Sequence, residues 1–262
     1  MLDNHYVIVV SRTVAVVVIL AVLSGCDGDA SRSPTPPTDS PSASGTPLER
    51  ATEAGCANQE DAATAGTRLG GDVSADVTGD GSEDLAYLVR DEGGGTACRD
   101  FLVVETENRP LVAPLSDPGQ DYSLLAPRIN ALVSVDDEPG AEILIDLEQG
   151  ASTQFIGMFT VTDGSLERVR IQNGGGVGDL FPYGGSVGHI EASDCADEAG
   201  SVVVSVATPL RDRYEVERTV YRFSGSDLIP DQDASETVML APQRLIGLPE
   251  FQASPFGNCL RS

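Results

Sequence analysis

Lysine and tryptophan are both missing from this 262-residue chain. Its sixteen basic residues are all arginine and stand against forty-one acidic ones, for a formal net charge of −25. A surface of that sign repels phosphate backbones and anionic headgroups, so nucleic acid and acidic lipid are excluded as partners held by bulk charge. Aromatic residues make up only 5% of the chain, and without tryptophan a carbohydrate-stacking cleft is disfavoured. Histidine occurs twice, as His5 and His189. A Ser-His-Asp site needs one, and His189 sits in a VGHIE stretch that reads as strand, where packing or solvation is the expected role. No glycine run leads into a lysine and a helix. Gly174-Gly175-Gly176 and Gly184-Gly185 therefore read as inter-unit turns and Gly93-Gly94-Gly95 as a hairpin loop, not as phosphate cradles. Helical periodicity is also scarce: nothing beyond two turns, with short helices predicted at 58–66 and near 121–127.

Present at the start is a three-part leader. Arg12 supplies positive charge, residues 13–23 (TVAVVVILAVL) are a short apolar core, and Ser24-Gly25 are small. Eleven apolar residues fall short of the roughly 20 that span a bilayer. Leu23-Ser24-Gly25-Cys26 resembles a bacterial lipobox. That resemblance implies that 1–25 is a lipoprotein signal peptide and that Cys26 becomes a lipid-bearing N-terminus on the extracytoplasmic face of the cell membrane. An uncleaved anchor with an unmodified cysteine is the alternative. Asp3 and Arg12 cancel, so removal of 1–25 leaves the net charge at −25. Lipidation of Cys26 would also balance the cysteines, leaving Cys56, Cys98, Cys195 and Cys259. Four can form two disulfides in three connectivities, which export permits to persist, and proximity favours Cys56–Cys98 and Cys195–Cys259.

Residues 27–48, DGDASRSPTPPTDSPSASGTPL, have almost no large apolar side chain with which to offset ordering entropy. Together 26–48 read as the lipidated cysteine and a disordered tether. The remaining 49–262 are long enough for one domain with a real core. That domain reads as all-β. Apolar and β-branched residues cluster in LAYLVR (85–90), FLVVETE (101–107), EILIDLE (142–148), TQFIGMFTV (153–161), LERVRI (166–171), SVVVSVA (201–207) and YEVERTVYRF (214–223), separated by Gly, Asp, Asn and Pro.

Grouping these runs gives a repeat of about three four-stranded units, near 68–126, 127–183 and 184–231. Asp84, Glu142 and Ser201 fall at equivalent points. A period near 60 residues with four short strands predicts propeller-like blades, with a β-sandwich as the alternative. Three units do not reach the four blades from which propellers start. Either 50–67 and 232–262 add a degenerate fourth sheet or the domain is an open fan, with a proline-bearing C-terminal strap that Cys259 could pin to Cys195.

One loop carries chemistry. In 76–84, DVTGDGSED, Asp76, Thr78 and Asp80 place oxygens at alternate positions, Gly81 allows a sharp turn, Ser82 offers its carbonyl and Asp84 closes the set. Hard oxygen donors without nearby His or Cys point to Ca²⁺. No bidentate Glu stands at position 12, which argues against an EF-hand. Followed at once by LAYLV, these residues resemble the calcium loop of FG-GAP or VCBS repeats of integrin-type β-propellers, which reads D-x-(N/D/T)-x-D-G-x-x-D before an apolar strand. The resemblance implies one structural Ca²⁺ site in the hairpin between the first two strands of a blade. An Asp-Gly-rich turn without an ion is the alternative. The counterparts are degenerate: 136–142 (DDEPGAE) has lost the spacing, and Asp194, Asp197 and Glu198 surround Cys195 without an Asp-Gly pair. The expectation is one ion site and two relics.

The functional expectation follows: a non-enzymatic, membrane-anchored lipoprotein whose calcium-stabilised β-repeat domain binds or scaffolds an unidentified protein or envelope component. The alternative is an extracytoplasmic hydrolase using carboxylates on the blade loops. An importer's solute-binding lipoprotein would need helices that the sequence does not offer.

Overall fold

The computed structural model describes residue 56 and residues 59–92, 99–116, 126–136, 138–172, 179–186, 188–252 and 254–259. The leader, Cys26, the tether, Cys98, Gly93–Gly95, Gly174–Gly176 and residues 121–125 lie outside the described residues. No helix among the described residues is long and apolar enough to cross a membrane.

The domain is all-β. A short helix, α1 (Gln59–Ala65), precedes β1 (Thr67–Ala75), β2 (Asp84–Arg90), β3 (Asp100–Glu105) and β4 (Pro110–Pro114), which form a four-stranded antiparallel meander. Next come β5 (Arg128–Val133), β6 (Glu142–Gln149), β7 (Thr153–Thr162) and β8 (Ser165–Arg168), a second meander. After β9 (Arg170–Ile171) and β10 (Phe181–Ser186), the strands β11 (His189–Cys195), β12 (Ser201–Leu210), β13 (Arg213–Ser224) and β14 (Asp227–Leu240) form a third. The chain ends in α2 (Pro242–Leu245) and a 3₁₀ turn at Pro249–Phe251. Because β10 bridges β7 and β11, the second and third meanders belong to one ten-stranded sheet, and neither sheet closes on itself.

Alternation along the strands sorts side chains into layers, because successive residues point to opposite faces. Ala86, Leu88, Leu102 and Val104 face Ile143, Ile145 and Phe159 of the second meander. Their neighbours Tyr87, Val89, Phe101 and Val103 face the other way, where Cys56 and, from α1, Ala63 pack on them. In the second meander Leu144, Ile156 and Met158 turn from the first layer toward Val202, Tyr221 and Leu228 of the third. The far face of the third carries Ala207 and Val216, covered by Leu245, Leu248 and Phe251. Sheet thus stacks on sheet in a sandwich-like arrangement. Strand β6 is buried on both faces, which explains the consecutive apolar residues Ile143, Leu144 and Ile145. Each fully buried Leu or Ile contributes about 1.5–3 kcal/mol, so these layers are the main source of stability.

The strap is where cysteine pairing placed it. Cys195 of β11 and Cys259 are joined across a sequence separation of 64. Phe256 plugs the second layer edge-on against Phe181, with ring centroids 5.2 Å apart. Glu250, 6% exposed, accepts hydrogen bonds from Arg218 Nε at 2.8 Å and Ser205 Oγ at 3.1 Å, tying the 3₁₀ turn to the third meander. Cys56 is also disulfide-bonded, and its partner lies outside the described residues.

Three expectations need correction. The Gly184-Gly185 stretch is strand β10, paired on both sides, and not an inter-unit turn. A side chain at Gly185 would meet the His189 carbonyl at 2.4 Å, so glycine is required by close backbone approach. The last strand of the third unit runs to Leu240 rather than ending near 231, because a register shift opposite Arg218–Val220 absorbs the polar DQDASE segment. The run 166–171 is two strands, broken at Val169, whose side chain is buried and whose N–H donates to the Met158 carbonyl.

Candidate functional site

The chain from β1 to β2 must reverse within eight residues, and its carboxylates organise the turn. Asp76 accepts the N–H groups of Gly79 (2.7 Å) and Gly81 (2.9 Å), and Asp80 accepts Ser82 N–H at 2.8 Å. Asp84, 3% exposed, takes the N–H groups of Val77 and Thr78 at 3.0 and 2.9 Å on the same oxygen. Gly79 and Gly81 adopt φ of +74° and +88°, which glycine does without strain. Asp76, Asp80 and Asp84 thus each close onto amides of the loop itself, Asp84 facing inward, while Thr78 and Ser82 lie between them.

Three features bear on a cation there. A carboxylate offers about four lone-pair sites, so Asp76 and Asp80 keep acceptor capacity beyond their amides. The Thr78 hydroxyl oxygen is buried without a hydrogen-bond partner, an arrangement that costs free energy unless something fills it. Against these, no three His, Cys, Asp or Glu side chains come together as a metal-holding group among the described residues. The donor chemistry suits a hard cation; the carboxylates are arranged around the backbone.

The equivalent point of the second unit repeats the device. Glu142, like Asp84, is the first residue of a second strand, and it accepts the N–H group of the residue seven positions earlier, Val135, at 2.7 Å. Asp136, next in sequence to that donor, lines the same cleft as Glu142. Burial, with Glu142 only 2% exposed, and the neighbouring Asp136 charge push the Glu142 pKa up to about 8. Sequence reading marked 136–142 as a relic and missed this pair. Its one visible signal was an acid placed directly before the apolar ILIDL, as Asp84 stands before LAYLV. In the third unit the equivalent residue is Ser201, too short to reach back, and its buried hydroxyl has no partner. There Asp194, 1% exposed, instead accepts Cys195 N–H and both the backbone and side-chain N–H of Asn258 in the strap, between 2.7 and 3.0 Å.

These loops lie side by side. A side chain at Gly79 would strike the Pro139 carbonyl at 2.2 Å, and one at Gly140 the Val77 carbonyl at 2.7 Å. Gly200 N–H donates to the Val135 carbonyl at 3.0 Å. Beside the second loop opens a cleft of about 360 Å³ lined by Asp136, Glu138, Glu142 and Asp163, with no basic side chain among the described residues on its wall. Asp136 and Glu142 stand on one wall of this cleft, and the Asp136 charge is one of the causes that raise the Glu142 pKa. His189 lies half-buried on β11, with Nε2 3.3 Å from Glu191. No family model, curated protein or solved structure matches this chain.

Proposed function

We propose that this protein is a lipid-anchored extracytoplasmic lipoprotein whose β-repeat domain is a calcium-stabilised binding or scaffold module. The carrying observation is the succession of three antiparallel meanders stacked through filled layers, a rigid block with its acidic loops in one row. Each meander is one propeller-like blade in an open fan of three, in keeping with the FG-GAP and VCBS resemblance of 76–88. Asp76, Thr78 and Asp80, with the Ser82 carbonyl, hold Ca²⁺, and the orphan Thr78 oxygen supports that assignment. Bound there, the ion neutralises the loop's charge and fixes the β1–β2 hairpin against Pro139. The lipid on Cys26 holds the domain at the membrane, and the ligand is a protein or envelope component.

Calcium titration followed by thermal melting tests the ion assignment. Ca²⁺ should raise the melting temperature by the binding linkage RT ln(1 + [L]/Kd), and Asp80→Ala should abolish the gain. No bound metal and no gain in the parent protein would remove the ion from the proposal. Cys26→Ser tests the anchor: the variant should leave the membrane fraction, and retention there would refute lipid attachment.

A further inference from the structure

We propose that the Asp136–Glu142 carboxyl pair is a proton-operated clasp that holds the second acidic loop shut against its neighbours. Glu142 holds its carboxyl out of water on the same cleft wall as Asp136, whose neighbour in sequence, Val135, it binds; burial and that adjacent negative charge both favour the protonated form. Glu142 is almost wholly buried, and the bond it accepts from Val135 N–H fixes the loop end whose carbonyl receives Gly200 N–H. The same loop supplies Pro139 and Gly140 to the contact with Val77 and Gly79. One pair of side chains therefore governs contacts reaching both adjacent units.

Among the described residues that line the cleft, none is basic. Glu138 is on the same loop and Asp163 comes from the β7–β8 turn; both are acidic. From the first unit, Asp84 is committed to the Val77 and Thr78 amides and Asp76 to those of Gly79 and Gly81, while Asp80 adds negative charge. From the third, Arg222 is taken by Glu198 and Asp231; Asp197 is acidic. Loss of the Glu142 proton leaves two adjacent charges beside a cleft through which the loop can lift into water.

The sign follows from linkage. Glu142 binds its proton more tightly folded than unfolded, so the clasp's stabilisation is complete below the ordinary carboxylate pKa of 4.5 and declines until about pH 8. The test is amide hydrogen exchange at Val135, corrected for intrinsic rate, from pH 5 to 9. A chelator is present throughout, so that the calcium assignment has no bearing on the outcome. In the parent protein the protection factor should fall by up to about tenfold per pH unit and level off near pH 8. Glu142→Gln should flatten the profile, and Asp136→Asn should move the decline to lower pH. A Val135 protection factor independent of pH would overturn the clasp. So would a Glu142→Gln profile with the parent's slope. If Glu142→Gln fails to fold, an Asp136→Asn profile superimposable on the parent's would be equally decisive.

Discussion

At the scale of single residues, the recurring device is an acid at the head of a second strand that reaches back seven positions to a backbone amide. Asp84 does this for two amides at once, Val77 and Thr78, with its carboxylate almost fully out of water. Bonds to a charged acceptor contribute about 1.5–3 kcal/mol each, and orphaned buried donors carry a further penalty. Asp84→Ala should therefore lower unfolding free energy by about 2–4 kcal/mol in urea titrations, calcium or no calcium. Asp84→Asn keeps an acceptor oxygen and should lose less. Equal, negligible losses in both variants would show that the carboxylate is not the fastener of this turn. The same residues explain the limit of the sequence reading. The D-x-T-x-D-G-x-x-D spacing revealed that 76–84 is a compact acidic turn, but spacing does not say whether an oxygen points at an ion or at an amide. Glu142 was less legible still, because the effect of the neighbouring Asp136 charge matters only once burial is known.

At the scale of elements, strand identity was legible wherever burial imposed a period. LAYLVR, FLVVETE and EILIDLE became β2, β3 and β6 within a residue or two, because two packed faces leave little room for polar residues. Strand β10 was not legible: Phe181-Pro182-Tyr183-Gly184-Gly185 has the composition of a turn, and only the nearness of Ser152 and His189 backbone explains its glycines. The strap was legible through its cysteine. Cys195–Cys259 closes a loop of 64 residues of sequence separation, for which chain entropy alone predicts about 4 kcal/mol. Cys259→Ser should lower stability by that order and expose the apolar face around Ala207 and Val216, read as dye binding and early proteolysis near the C-terminus. Unchanged stability would mean that Phe256, Glu250 and Asn258 suffice to seat the strap.

At the scale of the whole molecule, a formal charge of −25 with no lysine is a standing self-repulsion. Folding concentrates that charge, so salt should stabilise the protein by screening it. Sodium chloride raised from about 10 to 200 mM, with chelator present, should increase the melting temperature by roughly 2–4 °C for each kcal/mol of repulsion relieved. A flat or falling profile would show that local pairs such as Arg90–Asp100 and Arg222–Asp231 outweigh the long-range field.

The stack has a cover at each end: α1 on the outer face of the first meander, the strap on that of the third. A new meander appended beyond either cover would meet a sealed surface and have nothing to dry its apolar side. One inserted between existing meanders would find two matching apolar walls. Gene duplication could therefore lengthen such a protein only from the middle, the terminal pieces staying fixed while the interior multiplies.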